Sequence, residues 1–396
     1  MTPALSPEEQ AHSRAAAALI AERIRAAGGW IPFEQFMELA LYAPGLGYYS
    51  AGSVKLGPGG DFATAPEISD LFSRCVARQC AHVLGRGGEI LELGAGTGRM
   101  AAVVLESLAA LGALPARYAI LEVSADLAQR QRERLGRLPR EIGERVVWLE
   151  RLPERPISGV ILANEVLDAL PCQRFAQVGG EVRELGVALE EQAPNEAGAC
   201  AAAAKLIERA AAPGQALERA YAELLRELPA PLPDGYSSEI CSRVAPWIAG
   251  VAECLERGAM LLFDYGLPRA HYYHPQRTAG TLRCHFKQRV HDDPYINVGV
   301  QDITAWVDFT RVAEAALASG LDVAGFATQA AFLLGTGIES LLADGVDPVA
   351  HARLAGEARR LLLPGEMGEA FKVMALTREC DAALEGFALQ DLRHSL

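Results

Sequence analysis

The sequence predicts an α/β protein built around a doubly wound, mostly parallel β-sheet. From Gly88 onward, short apolar runs alternate with helical segments, and a glycine turn joins the first run to the next helix. Parallel strands need a crossover to return the chain to the same edge, so this alternation is typical of a parallel sheet. We predict seven strands: Glu89–Leu93, Tyr118–Val123, Val146–Glu150, Val160–Ala163, Met260–Asp264, Asp322–Phe326 and Phe371–Leu376.

The segment before the sheet is predicted to contain helices and a long loop. Helices are expected over residues 7–27 and Phe33–Leu41, and another from Pro66 through SDLFSRCVARQCAHVL, because proline suits the first turn of a helix. The intervening stretch, YAPGLGYYSAGSVKLGPGGDFATAPEIS, has little periodicity and is long for a connection. Loops of this length often cover binding sites, so we predict a lid.

An insertion is predicted after the fourth strand. QRFAQVGGEVRELGVAL indicates a hairpin that turns at Gly179-Gly180, since successive glycines suit a tight turn between strands. An alanine-rich helical stretch is expected over Gly198–Leu228, followed by the loop PAPLPDG. Together these segments predict a second lobe.

Composition excludes several classes of function. The 396 residues carry a net charge of −13, which disfavours nucleic acid and suits Arg-rich or Lys-rich protein segments. Eight scattered cysteines show no zinc-like spacing, so we predict no metal site and a reduced, cytoplasmic protein. No apolar run is long enough for a membrane span. The oligomeric state is left open.

The glycine turn in ILELGAGTGRM predicts a nucleotide-like ligand. Gly94, Gly96 and Gly98 allow close backbone approach at a helix N-terminus, and Glu122 lies at the end of the second strand, at roughly the spacing of a ribose-binding carboxylate. Glu92, inside the first strand, needs a partner that a ligand ammonium would supply. The glycine spacing differs from G-x-G-x-x-G, which favours S-adenosyl-L-methionine (SAM) over a dinucleotide.

The stretch GVILANEVLDALP becomes polar where its strand ends. Ligands bind outside the carboxyl ends of parallel strands, so Asn164, Glu165 and Asp168 indicate a site. An ordinary helix start, with Asn164 as the N-cap and both acids in the first turn, explains the same residues. Both alternatives stand at this point.

Other polar residues are weaker candidates for the substrate side of the site. Asp61, Thr64 and Glu67 in GDFATAPEIS are expected to close over cofactor or substrate, although Pro66-Glu67 is also a routine helix start. Asp264 and Tyr265 end the fifth strand and are expected to border a substrate channel. Four histidines between His271 and His291 favour a partner-binding loop over a metal site.

The chain resembles the MidA-like methyltransferase family, relatives of a mitochondrial complex I assembly factor. The matching motifs run in order over nearly the whole chain: LYAPGLGYYS, GDFATAPEIS, LELGAGTG, ILEVSADL, ANEVLDALP, LLFDYG, TLRCHFKQRVHDDP, QDITAWVDF and GEMGEAFKVMAL. The resemblance implies the class I methyltransferase fold, a Rossmann-like seven-stranded sheet with an antiparallel last strand. It also implies methyl transfer to arginine in a protein partner, such as a respiratory chain subunit.

On this fold we expect four divisions of the chain and a carboxylate clamp. Glu165 and Asp168, placed on one face of an initial helical turn, are expected to orient the guanidinium, with Asn164 at the methionine end of SAM. Glu239, before a helix, resembles the family's acid at that position, although an exposed first-turn glutamate explains it equally. The divisions are 1–85, N-terminal helices and lid loop; 86–172, first part of the SAM-binding core; 173–238, inserted hairpin and helical lobe; and 239–396, the remainder of the core.

Two other functions fit the same motifs less well. An assembly chaperone that binds SAM with little turnover would also use a lid and an inserted lobe. A dinucleotide-dependent oxidoreductase is disfavoured by the glycine spacing. Methyl transfer from labelled SAM distinguishes the first from an enzyme, and NAD(P)H binding tests the second.

Overall fold

The computed structural model describes residues 3–51, 64–85, 87–190, 205–343 and 347–396. Residues 52–63 of the predicted lid loop, which include Asp61, lie outside these residues. The strands of the described residues are β1 (Trp30–Pro32), β2 (Glu89–Leu93), β3 (Arg117–Leu121), β4 (Val146–Leu149), β5 (Ile157–Asn164), β6 (Gln173–Val178), β7 (Glu181–Leu189), β8 (Leu206–Ala211), β9 (Ser237–Ile240), β10 (Leu255–Leu267), β11 (Arg283–Phe286), β12 (Arg289–His291), β13 (Asp302–Thr304), β14 (Val307–Asp308), β15 (Asp322–Thr328) and β16 (Phe371–Arg378).

The α-helices occur along the whole described chain. They are α1 (Pro7–Ala26), α2 (Phe33–Tyr42), α3 (Ala65–Ile68), α4 (Asp70–Leu84), α5 (Arg99–Ala110), α6 (Ala125–Leu135), α7 (Arg140–Gly143), α8 (Gln215–Glu227), α9 (Val244–Ala252), α10 (Arg269–Tyr272), α11 (Phe309–Ala318), α12 (Gln329–Gly335), α13 (Ile338–Ala343) and α14 (Pro348–Leu362). The chain divides into two compact units, the insert unit (1–55, 169–243 and 269–306) and the sheet unit (56–168, 244–268 and 307–396).

The sheet unit contains the predicted doubly wound sheet. Its strand order is β15-β16-β10-β5-β2-β3-β4, with the short β14 paired to the end of β10. The neighbouring strands β10, β5, β2, β3 and β4 run parallel to one another. The strand β16 pairs antiparallel with both β10 and β15. The prediction of seven strands with an antiparallel last strand is therefore confirmed. The carboxyl ends of β10, β5, β2 and β3 lie side by side, which assembles a site at one edge.

The core of the sheet unit explains why these segments form strands and helices. Both faces of the sheet are covered, so its central strands contain uninterrupted buried runs, residues 159–163 in β5 and 258–264 in β10. The helix predicted from Pro66 to Leu84 is wrong in one respect. Ser69 is extended and separates α3 from α4, and its hydroxyl accepts a hydrogen bond from the Leu71 amide. A serine N-cap thus starts a second helix where a single continuous helix was expected.

The insert unit has its own sheet and its own hydrophobic core. Its main sheet has the order β1-β7-β6-β9, with β8 paired to β7, and the predicted hairpin forms β6 and β7. The prediction of a helix over Gly198–Leu228 is partly wrong. Residues 206–211 form β8 against β7, and the helix α8 begins only at Gln215. Residues 198–204 lie outside the described residues.

The two units cut across the four predicted divisions of the chain. The α3 and α4 helices, placed with the N-terminal segment in the sequence analysis, belong to the sheet unit, whereas residues 269–306 belong to the insert unit. In the part of the chain that the structure describes, no helix combines the length and apolar character needed to cross a membrane.

Candidate functional site

The glycine turn at the end of β2 has the backbone that only glycine adopts easily. Gly94, Gly96 and Gly98 have φ values of 67°, 53° and 76°, in the left-handed region. The Gly94 amide donates to the carbonyl of Leu121, which ties the turn to the end of β3. A Cβ at Gly98 would lie 3.2 Å from the Gln131 side chain, so the turn also packs closely against α6. The result is a rigid, open backbone at the sheet edge.

Glu122 lies at the end of β3 and is held from two sides. Its Oε1 accepts the backbone N–H of Ser124 at 2.9 Å, and its Oε2 accepts a hydrogen bond from Gln131 Nε2 at 2.9 Å. A carboxylate fixed in this way and still partly exposed suits the ribose hydroxyls of a nucleoside.

Glu92 is buried and already has a partner within the protein. The Tyr118 hydroxyl donates to Glu92 Oε2 at 2.8 Å, and only 1% of the glutamate is exposed. Burial raises the pKa of Glu92 to about 7, the hydrogen bond from Tyr118 opposes this, and the charge of Glu122 adds to it. Glu92 thus has a protein partner, Tyr118, in addition to the ligand ammonium that the sequence predicts for it. An effect of Glu92 on the ligand stays a prediction, and the carboxylate would exert it through its charge.

The chain after β5 does not form a helix. Asn164 is the last residue of β5, and residues 165–170 form bends and turns. Glu165 has φ 53°, a left-handed conformation that is uncommon for a residue other than glycine. Both predicted arrangements are therefore wrong, the capped helix start and the two acids on one helical face. The polar residues line an irregular loop at the sheet edge instead.

Asp264 holds this loop in place from within β10, which continues to Leu267 and so does not end at Asp264 and Tyr265 as expected. Its Oδ2 accepts the backbone N–H groups of Leu167 at 3.0 Å and Asp168 at 3.2 Å, and its Oδ1 accepts that of Tyr265. Burial raises the pKa of Asp264, and the charges of Asp168 and Glu165 raise it further. Asp264 thus bonds to the loop backbone and belongs to a group of three carboxylates with Glu165 and Asp168, and its expected role in substrate binding stays a prediction.

Asn164 sits between this cluster and the glycine turn. The register pairs Leu93 with Ala163, which places Asn164 beside Gly94. Its Nδ2 donates to Glu165 Oε1 at 3.2 Å, whereas its buried Oδ1 has no hydrogen-bond partner among the described residues. A buried acceptor without a partner costs free energy, so a ligand donor at this point is favoured.

The residues expected to close over the site have mixed roles. Glu67 accepts a short hydrogen bond from the Thr97 hydroxyl and lies 3.8 Å from Arg99 Nη1, so α3 is tied to the glycine turn. Thr64 precedes α3, and within the described chain its hydroxyl makes no capping hydrogen bond. Tyr265 packs edge-on against Phe371, with ring centroids 5.3 Å apart.

Glu239 belongs to the insert unit. It lies in β9, 1% exposed, and its Oε2 accepts hydrogen bonds from the backbone and hydroxyl of Thr281 at 2.8 and 3.0 Å. Arg174, directly opposite on β6, approaches its Oε1 to 3.7 Å. The alternative of an exposed glutamate in the first turn of a helix is wrong, because this side chain is buried in a strand.

Sequence reasoning missed a buried side chain that hydrogen-bonds to the site residues. Gln131 in α6 is fully buried and bonds to both the glycine turn and Glu122. The detectable signal is its helical spacing, since Leu127, Gln131 and Leu135 share one apolar face of α6. No cluster of three or more His, Cys, Asp or Glu side chains suited to a metal ion occurs in the described ranges.

These features fit SAM and define a class of protein. The glycine turn presents left-handed backbone, the Glu122 carboxylate is partly exposed, and the Asn164 acceptor lies at the same edge. On a sheet of this order, they are those of a SAM-dependent methyltransferase. A family described as S-adenosyl-L-methionine-dependent methyltransferases matches residues 75–327, and the chain belongs to it.

Solved and curated relatives agree with this class. A protein from Burkholderia thailandensis, described as a methyl transferase and crystallised with S-adenosylhomocysteine (SAH), is 40% identical, with complete coverage of both chains and a TM-score of 0.91. The mitochondrial protein arginine methyltransferase of Danio rerio is 27% identical over 88% of this chain and 84% of its own. Its Drosophila melanogaster homologue is 28% identical over 94% and 88%.

The curated relatives correct one expectation. The scattered cysteines predict a cytoplasmic protein. These relatives are named as mitochondrial proteins, and that finding overturns the prediction. Scattered cysteines report a reducing compartment, which does not distinguish the cytoplasm from the inside of an organelle.

Proposed function

We propose that this methyltransferase acts on arginine in a protein partner. The observation that carries the proposal is the cluster of Glu165, Asp168 and Asp264 at the sheet edge beside the glycine turn. A planar guanidinium fits carboxylates through paired hydrogen bonds, and its charge would relieve the repulsion within the cluster. The names of the curated relatives agree with an arginine substrate.

In this proposal Glu165 and Asp168 are the catalytic residues. They would hold two nitrogens of the guanidinium and leave the third directed at the cofactor. SAM, when bound, supplies an electrophilic methyl group on its sulfonium. Arginine is a poor nucleophile because it is protonated, so orientation and acceptance of a proton are the main tasks of the protein. Burial and the charges of Asp168 and Glu165 raise the pKa of Asp264, so Asp264 is a member of the cluster with increased proton affinity.

Asp264 would act through the loop. By accepting the amides of Leu167 and Asp168, it fixes the backbone that carries both catalytic carboxylates. Preorganisation of this kind removes the cost of ordering the loop during each turnover. Asp264 is therefore proposed as a positioning residue for the substrate.

The remaining site residues are proposed in two groups. The cofactor would contact Gly94, Gly96, Gly98, Glu122 and Asn164, with Glu92 acting through its buried charge. The substrate side would include Asp61, Thr64, Glu67 and Tyr265, and Glu239 of the insert unit is proposed separately as a substrate-binding residue. A subunit of a respiratory chain complex is proposed as the protein target, following the family resemblance.

Labelling tests this function directly. Purified protein is incubated with methyl-labelled SAM and extract from a strain that lacks the gene, and the labelled protein is hydrolysed for amino-acid analysis. We expect label in methylarginine, and none with Glu165→Gln. Label in methyl-lysine or only in small molecules would overturn the arginine assignment. Absence of transfer despite SAH binding would favour the chaperone alternative.

A further inference from the structure

Gln131 is a buried polar residue that the proposed chemistry does not use. It lies in α6 with 0% exposure, and both of its polar atoms are engaged. Nε2 donates to the carbonyl of Gly96 at 2.9 Å and to Glu122 Oε2 at 2.9 Å. Oε1 accepts the indole N–H of Trp148 at 3.0 Å. One side chain thus joins the glycine turn, Glu122 after β3 and Trp148 in β4.

The amide has only one orientation that satisfies these partners. A carboxylate and a carbonyl both require donors, and an indole N–H requires an acceptor. If the amide turned over, its oxygen would face Glu122 and Gly96, and its NH₂ group would face the donor of Trp148. Trp148 therefore fixes the direction of the Gln131 amide, and Gln131 fixes Glu122.

We propose that Gln131 is a positioning residue for the cofactor, because it couples the glycine turn to the carboxylate of Glu122. The inference rests on the proposed contact between Glu122 and the ribose of SAM. With Ser124 N–H on Oε1 and Gln131 on Oε2, the carboxylate is oriented before any ligand arrives. The contact with the Gly96 carbonyl keeps the turn at a fixed distance from that carboxylate.

Binding of SAH to a set of variants tests the proposal without any methyl transfer. Gln131→Leu removes both donors and places an apolar side chain of similar size at this position. We expect the Kd for SAH, measured by calorimetry, to rise about tenfold, which corresponds to about 1.4 kcal/mol. Gln129→Leu is the matched control, since Gln129 is exposed on the same helix and bonds only to Glu133 in the described structure. Its Kd should stay unchanged.

A double-mutant cycle separates positioning from general destabilisation. If Gln131 acts through Glu122, adding Gln131→Leu to Glu122→Ala should change the Kd by less than about threefold. The same tenfold loss in both backgrounds would overturn the proposal. Normal SAH binding by Glu122→Ala alone would instead contradict the ribose assignment on which the inference rests.

Gln131→Glu provides a second test that does not depend on Gln131→Leu folding. It keeps the size of the side chain and the acceptor for Trp148 but places a carboxylate against Glu122. We expect the ratio of its Kd to that of the unchanged protein to fall as the pH decreases from 8 to 6, because a shared proton restores a donor. A ratio that is constant over this range would overturn the proposal.

Discussion

At the scale of single residues, the backbone of Glu165 is the most informative feature of the site. Its φ of 53° places a glutamate where glycine would be more stable, and its amide is held by the Phe263 carbonyl at 2.8 Å. Such a conformation costs roughly 1–2 kcal/mol and persists only when the surroundings impose it. The cost of keeping a carboxylate at this position, beside Asp168 and Asp264, supports the proposal that the Glu165 side chain has a function.

This strain leads to a prediction with opposite effects on stability and activity. Glu165→Gly should leave the melting temperature equal to or above that of the unchanged protein, because glycine accepts the left-handed backbone. Single-turnover methyl transfer should fall by about 100-fold or more, since the guanidinium loses an anchor. Glu165→Gln is the control that keeps the strain. A clear drop in melting temperature with intact transfer would make Glu165 a structural residue.

Glu92 gives a prediction for pH. Its pKa of about 7 in the folded protein exceeds the value of 4.5 that it has when unfolded, so folding binds a proton between these values. Stability should therefore fall as the pH rises from about 4.5 to 7 and level off above, by roughly 3 kcal/mol at most. Glu92→Gln should lack this decrease in SAH-free protein. A difference in melting temperature between the two proteins that stays constant from pH 5 to 8 would contradict this prediction.

At the scale of elements, one carboxylate determines the shape of the loop after β5. The Asp264 carboxylate on β10 accepts hydrogen bonds from two consecutive backbone amides in the loop after the neighbouring strand β5. At the start of a helix, such amides bond to a capping side chain and to solvent instead. The loop is thus an irregular connection stabilised from the adjacent strand. Its geometry depends on the pairing of β5 with β10.

Removing this carboxylate should therefore release the loop. In Asp264→Ala the amides of Leu167 and Asp168 lose their buried acceptor, and we expect a loss of about 1–3 kcal/mol with faster hydrogen exchange at these amides. Asp264→Asn keeps an acceptor oxygen and removes a charge, so it should retain most of the stability. Equal protection of both amides in Asp264→Ala and the unchanged protein would refute the positioning role.

At the scale of the whole molecule, features that depend on neighbouring residues were predictable from the sequence, whereas features that depend on distant contacts were not. The glycine turn and the Gly179-Gly180 hairpin depend on neighbouring residues, and both are confirmed. The strand Leu206–Ala211 was missed because an alanine-containing segment favours helix on its own, and pairing with β7 overrides that preference. The loop after Asn164 has the composition of a helix start, but its acceptor, Asp264, is distant in sequence.

The central claim is that carboxylates at the end of β5 hold an arginine for methylation. The most direct measurement is single-turnover transfer from labelled SAM to the purified target, with SAH affinity measured in parallel. We predict that Glu165→Gln and Asp168→Asn each lower transfer by about 100-fold or more while SAH affinity changes less than about threefold. Replacing the target arginine with lysine should also abolish transfer, because an ammonium cannot form paired hydrogen bonds. Unchanged transfer in both carboxylate variants, or equal transfer to the lysine target, would contradict the claim.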